Sequence, residues 1–595
     1  MYLIYLLRRD LRVSDNPILH ALKSQKNSRY THLLPLYILS PNQIEVSGFL
    51  SNDEKSPFPE ARSRLGGFWR CGPHRAKFLA ESLWDLKTSL NKLSSDLAIR
   101  VGPMEDVVKQ LLEVDGLKGK IGGVWIAKEW GSEEIEEERR TERVVKELGG
   151  GNIEWKVWNS EQMLIHDDDL PFKPSQTHDV FTTFRKTVEP LRDNVRQPVA
   201  PITSLLPLPE SIPAQTPPFS IPSEQSELVH ALQKPVLDMD LPHPITQPSS
   251  NARTAHPFIG GETNAHERVV HLLVSGSMSS YKDTRNGLLG EDFSTKLSAY
   301  LALGCITARQ INAYVLAFEE GKPLPYPTGD VIEEKLAKAN GYAKGENKGT
   351  AAVRFELLWR DYMQLCLRKY GTSIFSIKGF RGRLEANGSE KSRRYSWSSL
   401  SSPSTRKKFS RFLCGETGVG LVDASMRELA LTGYTSNRAR QNCASFLATW
   451  LGIDWRLGAE WYESVLVDYD VASNWGNWAY VAGVGNDPRA SDGEPRKFNP
   501  VKQAFDYDSK GEYVRTWIGE FNGLDLKEEY LFQAWKALEG GQSDAAKKLQ
   551  GIVWVKDPLV RIHYQAKRRG QDDKKGKSKR RGPGPKSKPK QNSQP

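Results

Sequence analysis

Thr432–Gly483 reads TGYTSNRARQNCASFLATWLGIDWRLGAEWYESVLVDYDVASNWGNWAYVAG, and the rest of the chain is read outward from it. Five of the sixteen Trp fall here, beside Asp468, Asp470, Arg438, Arg440 and several Asn. Apolar residues recur at helical spacing, first Phe446, Leu447, Trp450 and Leu451, then Trp461, Val465 and Leu466, which predicts packed helices. Asp and Arg inside such a packing are costly unless they are paired or bonded to something. Aromatics crowded around fixed polar groups suit a large, flat ligand with polar edges. An aromatic core with a structural ion pair would read the same way.

Upstream, residues 1–198 alternate short apolar runs with amphipathic ones. Leu3–Leu7, His32–Leu39, Leu97–Val101, Gly123–Ala127 and Ile153–Val157 read as strands; Asn16–Leu22, Arg75–Asn91, Glu105–Glu113 and Ser132–Leu148 read as helices. That alternation predicts an α/β domain with a parallel, Rossmann-like sheet. The first strand runs into RRDLRVSDN, so the GxGxxG fingerprint is missing where a dinucleotide-binding sheet would need it. The acidic run Glu133–Glu138 reads as a solvated helix face. From Gln197 to about Asn251 prolines crowd the chain (PITSLLPLPE, PAQTPPFS, LPHPITQP) and periodicity is lost, as in an inter-domain connector. After Thr254 the pattern turns helical and stays so to about Leu549, an all-α domain. The expected organisation is thus 1–198, a linker 199–250, a helical domain 251–565 and a tail 566–595.

Within the helical domain, Ser294 reads as the N-cap of one long helix, TKLSAYLALGCITARQI. Small hydroxyls and Lys296 at its start, with Tyr281 and Lys282 just upstream, suit a phosphate or pyrophosphate; a capped surface helix is the plain alternative. In AAVRFELLWRDYMQLCLRKYG, Glu356, Trp359 and Arg360 share a face at i, i+3 and i+4. An acid, an indole and a guanidinium there could grip a flipped base, or form a core edge with a surface ion pair. The basic, Ser-rich loop 380–404, with Tyr395 and Trp397, fits a nucleic-acid backbone with base stacking, or a plain exposed loop.

Composition bounds the function. The 595 residues are 38% hydrophobic and 10% aromatic, and no apolar run reaches membrane-spanning length, so no membrane role is expected. The apolar start MYLIYLLRRDLR carries its charges after the apolar run, unlike a signal peptide. Five scattered Cys without CxxC spacing point to a reducing compartment, without disulfides or a metal site. Of the net charge of +11, nearly all sits in residues 566–595, where twelve Lys and Arg face two Asp. That tail, with KRRGQDDKKGKSKRR, has nothing apolar to bury and resembles a nuclear-import or nucleic-acid-binding arm. A merely solubilising tail would read the same way; as an address the tail suggests the nucleus, with the cytoplasm as the alternative.

In this order, RRDLRVSDNPIL, YKDTRN, FSTKLSAYLALG, ELLWRD, TGYTSNRARQNCASFL, DWRLGAEWYE and DYDVASNWGNWAYVAG resemble the photolyase/cryptochrome family, most closely its DASH-type cryptochromes. The likeness covers nearly the whole chain to about Tyr564. It implies FAD in the helical domain, with Tyr281, Ser294, Thr295, Lys296, Leu297 and Ser298 around its diphosphate. Asn437, Arg440, Asp468 and Asp470 would surround the isoalloxazine and adenine, and Asn474 would face flavin N5. Trp478, Trp455 and Trp397 match an electron-transfer chain from flavin to surface. Glu356, Trp359, Arg360, Tyr480 and Gln441 match the substrate pocket. Glu129, in AKEW, matches a carboxylate that binds 5,10-methenyltetrahydrofolate as an antenna. Ser436, Asn437 and Gln441 stand where (6-4) photolyases carry His, which leaves that chemistry without a candidate. The implied activity is blue-light-driven splitting of cyclobutane pyrimidine dimers, mainly in single-stranded or looped DNA, by a monomeric lyase. A light sensor that binds DNA or RNA without efficient repair is the alternative, and RNA could be held by the tail.

Overall fold

The structure is a computed structural model and describes residues 1–24, 29–51, 54–159, 162–250, 252, 256–326, 329–380, 396–487, 495–539 and 544–564. Tyr395 and the basic tail lie outside the described residues.

Five strands, β1 Tyr2–Leu7, β2 His32–Leu39, β3 Ala98–Val101, β4 Ile121–Ala127 and β5 Glu154–Trp158, form a parallel sheet in the order β3-β2-β1-β4-β5. β1 runs in register with β2 from Tyr2–His32 to Leu7–Tyr37. Its residues from Leu3 to Leu7 are buried, as a near-continuous apolar run requires when both faces of a parallel sheet are covered. Between the strands lie α1 Pro17–Ser24, α2 Pro73–Asn91, α3 Met104–Glu113 and α4 Ser132–Gly149. The strand order reverses between β1 and β4, so the loops leaving these two strands, Arg8–Asn16 and Lys128–Gly131, meet at the crevice where such sheets place ligands.

Next come α5 Phe181–Val188 and, inside the proline-rich stretch, α6 Gln225–Gln233. The connector is therefore not wholly irregular: Leu228, Ala231 and Leu232 of α6 are buried, and α6 packs on α2. The helical part opens with α7 Glu262–Val274, α8 Ser277–Thr284, α9 Ser298–Leu303, α10 Ala308–Glu320, α11 Asp330–Ala337 and α12 Lys348–Tyr370. The single helix expected after Ser294 is two. Gly304 ends α9 at φ 67, and a Cβ there would lie 2.0 Å from the Arg9 carbonyl oxygen, so the stop is fixed by close contact with the β1 loop. Thr307 then caps α10 in a capping box with Gln310. Later helices include Gly420–Thr432, Asn437–Ser445, Trp455–Val465 and Val471–Val481, with a π-helical turn at Phe446–Trp450.

The two parts are joined by buried polar ties. Arg309 pairs with Asp15 at 2.6 Å, and Glu262 accepts the backbone N–H groups of Val13 and Ser14. Asp361 accepts those of Leu164 and Ile165 at 3.0 Å each, and burial pushes its carboxyl up to about 7. All five Cys are free and buried. No helix among the described residues is long and apolar enough to cross a membrane, and no group of His, Cys, Asp and Glu among them could hold a metal.

Candidate functional site

The loop before α9 is held from below by Arg268 of α7. Its Nε donates to the Thr295 carbonyl at 3.0 Å, its Nη2 to the Glu291 carbonyl at 3.0 Å, and its Nη1 pairs with Asp292 at 2.8 Å. Arg268 was not singled out from the sequence, where a lone Arg in a helix carries no signal. Ser294 is accordingly not a helix cap: Ser294 and Lys296 have φ of 72° and 58°, a left-handed conformation that costs a non-glycine residue about 1 kcal/mol or more. The turn brings Lys296 inward until it is 3% exposed, with its ammonium 4.2 Å from the Tyr434 ring centroid. Among the described residues no carboxylate pairs with it. A buried cation without a counter-ion is expensive, so the cradle is built for an anion. His256 reports the same positive potential: burial, then Arg268 and Lys296, push its imidazole down to about 4. Leu297 is buried, Ser294 and Thr295 are half-exposed, and Ser298 is exposed. Tyr281 of α8 is buried, its hydroxyl pushed well up by burial and then by the Glu356 carboxylate.

Arg440 also leans on the Tyr434 ring, at 5.0 Å, donates to the Thr435 carbonyl and pairs with Asp468 at 3.0 Å. That pair uses Asp468 Oδ2; Oδ1 is buried and has no partner, an acceptor lacking its donor. Asp470 caps the helix Val471–Val481 through the Ser473 N–H at 2.7 Å, accepts from Gln364 at 2.9 Å and lies 4.0 Å from Arg9 of the β1 loop. Asn474 is buried and donates to the Ala459 carbonyl at 2.9 Å, whereas Asn437 stands exposed at the start of its helix. An anion cradle, an orphaned buried carboxylate oxygen and a bracket of aromatics fit an FAD, with its diphosphate, its ring N–H groups and its flat ring system.

The three indoles differ in depth. Trp478 is 3% exposed and meets Tyr462 edge-on at 5.1 Å; a Cβ on Gly458 would lie 2.2 Å from its Cη2. Trp455 is fully buried, donates to the Ile377 carbonyl at 3.1 Å and lies 6.0 Å from Trp475. Ser398 bonds to the backbone of Gly452 and Asp454, which brings half-buried Trp397 beside the start of the Trp455 helix.

On α12, Trp359 meets Tyr480 at 5.8 Å with their planes at 88°, and is backed by Phe181 at 4.2 Å. Glu356 pairs with Arg285, just past the end of α8, and burial holds its carboxyl above the ordinary range against the pull of Arg285 and Lys282. Gln441 accepts from Arg438 at 3.0 Å, and Arg438 also donates to Asn286. Arg360 does not join Glu356. Its guanidinium turns to the Gln162 carbonyl at 2.9 Å and the Leu301 carbonyl at 3.3 Å, tying α12 to the segment after β5 and to α9. Arg285 could have been noticed within YKDTRN; Arg496, which bonds Tyr480, lies in a stretch without pattern.

At the sheet's switch point, Glu129 is 9% exposed, its Oε1 is buried without a partner, and burial pushes its carboxyl up to about 7 against Arg9 and Arg8. Trp130 beside it is flanked by Lys128 and Arg368. The acidic run after it is only in part a solvated face: Glu133 and Glu136 are exposed, Glu134 and Glu138 buried. Glu134 pairs with Arg9 at 3.1 Å and Glu138 with Lys128 at 2.5 Å and Arg8 at 3.4 Å, all brought together by folding. An orphaned carboxylate oxygen at a ligand crevice fits an amide-like N–H donor such as a pterin edge.

Residues 3–203 match the family model described as DNA photolyase, and residues 353–571 the one described as the FAD binding domain of DNA photolyase. A Neurospora crassa protein whose name places it among mitochondrial cryptochromes DASH is 49% identical, over 97% of this chain and 76% of its own length. A cryptochrome DASH of Xenopus laevis is 37% identical, over 99% and 96% of the two chains. The crystal structure of a Synechocystis cryptochrome superposes with a TM-score of 0.70 at 32% identity, covering 93% of this chain and 94% of that one.

Proposed function

Since the chain belongs to the photolyase/cryptochrome family, among DASH-type relatives, and carries its FAD-binding domain, we propose that it is a photolyase-like carbon–carbon lyase. It would split cyclobutane pyrimidine dimers under blue light, chiefly in single-stranded or looped DNA. When bound, FAD would supply light-driven one-electron donation that is returned within the cycle, with no net redox change. The residues of the chain do the rest. Lys296, over Tyr434 and beside the loop pinned by Arg268, holds the diphosphate, with Tyr281, Ser294, Thr295 and Ser298 at its rim. Asp468 Oδ1 accepts from a ring N–H, and Arg440 keeps that carboxylate in place. Asn474 and Asp470 complete the bracket.

The observation that carries the reading is the right-angled corner of Trp359 and Tyr480 beside Glu356. Two aromatic planes at 88° offer one wall to a base face and one to its edge, which suits a dimer taken out of the stack. Glu356, held by Arg285 at this corner, can accept a hydrogen bond from a pyrimidine N–H. Extrusion is cheapest from a single strand, where no pairing is lost. Trp455, Trp478 and half-exposed Trp397 form the outward path that keeps the flavin reduced. Glu129 at the sheet crevice holds a 5,10-methenyltetrahydrofolate antenna, and the protein acts as a monomer. The basic tail carries a nuclear address or binds RNA; a relative named mitochondrial offers the competing compartment, and tail-deleted fusions distinguish them.

Equilibrium binding tests the reading. Oligo(dT) carrying one dimer should bind the holoprotein at least tenfold tighter than undamaged oligo(dT), more so as a single strand than in duplex, and Glu356→Gln should weaken it. Equal affinity for damaged and undamaged strands would favour the sensor reading.

A further inference from the structure

Tyr480 is held by a side chain that no element of the reading above uses. Arg496 Nη2 donates to the Tyr480 hydroxyl at 2.8 Å, and its guanidinium carbon leans over the same ring, 4.7 Å from the centroid. Behind it stands Asp487, fully buried, which pairs with Arg496 Nε and receives a second contact from Nη2 at 3.4 Å. The backbone is fixed as well. Ser445 Oγ donates to the Arg496 carbonyl at 2.6 Å and accepts from the Phe498 N–H at 2.9 Å, and Trp450 Nε1 donates to the Phe498 carbonyl at 2.8 Å. Ser445 closes the helix Asn437–Ser445, and Trp450 closes the π-helical turn that follows it, an irregularity often found at functional sites.

We infer that Arg496 is a positioning residue for the substrate pocket: braced by Asp487 and by the backbone clamp through Ser445, it fixes the Tyr480 ring at a right angle to Trp359 before substrate arrives. A tyrosine ring turns freely about its side-chain bonds unless something anchors its outer end. A charge-assisted bond to the hydroxyl and a cation on the ring anchor it from two sides. The pocket wall is then preformed, and binding does not have to order it. Arg496 acts through Tyr480, because its Nε and Nη2 are both engaged, by Asp487 and by the Tyr480 hydroxyl.

This rests on the dimer-binding reading, and the test separates the two. Arg496→Met holoprotein should retain wild-type FAD content and photoreduction rate yet bind dimer-containing single-stranded oligo(dT) about tenfold more weakly. The repair yield of the bound complex should be unchanged. Arg496→Lys, which keeps a cation for Asp487, should recover part of the loss. In a Tyr480→Leu background, Arg496→Met should add less than twofold, with no change in the salt dependence of binding. Wild-type affinity in Arg496→Met, or a full tenfold loss that persists in the Tyr480→Leu background with a shallower salt slope, overturns this inference alone. A wild-type protein with no preference for the dimer overturns the proposed function and this inference with it.

Discussion

Replacing Lys296 by Met keeps the length and apolar stem of the side chain and removes only the ammonium. In the chain alone that ammonium is buried, over an aromatic ring and without a carboxylate partner among the described residues. An uncompensated buried charge destabilises, and its replacement by an apolar isostere should raise the stability of the flavin-free protein by about 1–3 kcal/mol. The left-handed backbone at Lys296 is equally strained with either side chain and drops out of the difference. FAD binding opposes that gain. A charge-assisted hydrogen bond to the diphosphate is worth about 1.5–3 kcal/mol, so its loss weakens FAD binding roughly ten- to a hundredfold. At a flavin concentration one hundred times the wild-type Kd, ligand stabilisation is about 2.7 kcal/mol, and about half or more of it would be lost. Urea denaturation of apo and holo forms, with FAD titration by fluorescence quenching, should therefore show Lys296→Met more stable without flavin and gaining less from added flavin than the wild type. A variant destabilised in both forms, or one with an unchanged Kd, would show that Lys296 serves packing and not the anion.

Gly458→Ala sets a methyl 2.2 Å from Trp478 Cη2 and 2.7 Å from Leu447 Cδ2, so it should cost about 1–3 kcal/mol in thermal denaturation. It should also slow flavin photoreduction by displacing the indole. Trp478→Phe should slow photoreduction while FAD stays bound, and an unchanged rate would take Trp478 off the path. Glu129 has a folded-state pKa raised to about 7, so it binds a proton that the unfolded chain has already released, and its contribution to stability falls as pH rises from about 4.5 to 7. Glu129→Gln should flatten that slope, and it should abolish the rise in folate retention, read by near-UV absorbance, expected as the wild-type carboxylate ionises toward pH 8.

The sheet was legible because its strands are short apolar runs, and buried parallel strands need little else; every strand and helix expected in residues 1–198 is present within a few residues. What periodicity missed depends on distant partners. Glu134 and Glu138 look solvated on their own helix and are buried only because Arg8, Arg9 and Lys128 fold against them. The break after α9 follows from the approach of Gly304 to the Arg9 carbonyl, and the helix in the connector from the face α2 offers it. Around the site, Asp468, Arg440, Trp478 and Trp455 were visible as a crowd of charges and aromatics that had to be used. Arg268 and Arg496 were invisible because each serves a residue distant in sequence or outside any repeating pattern. Arg360 was misread because helical spacing places a side chain on a face without saying which carbonyls wait there.

Light-driven repair is the most direct test. Holoprotein with reduced FAD, mixed with single-stranded oligo(dT) containing one cyclobutane dimer and illuminated with blue light, should restore absorbance at the thymine band. The rise should be absent in the dark, smaller with duplex substrate, and suppressed in Trp359→Ala and Tyr480→Ala. Illuminated holoprotein that leaves the dimer intact in both single and double strands would contradict the account and leave a flavoprotein that senses light without repairing DNA.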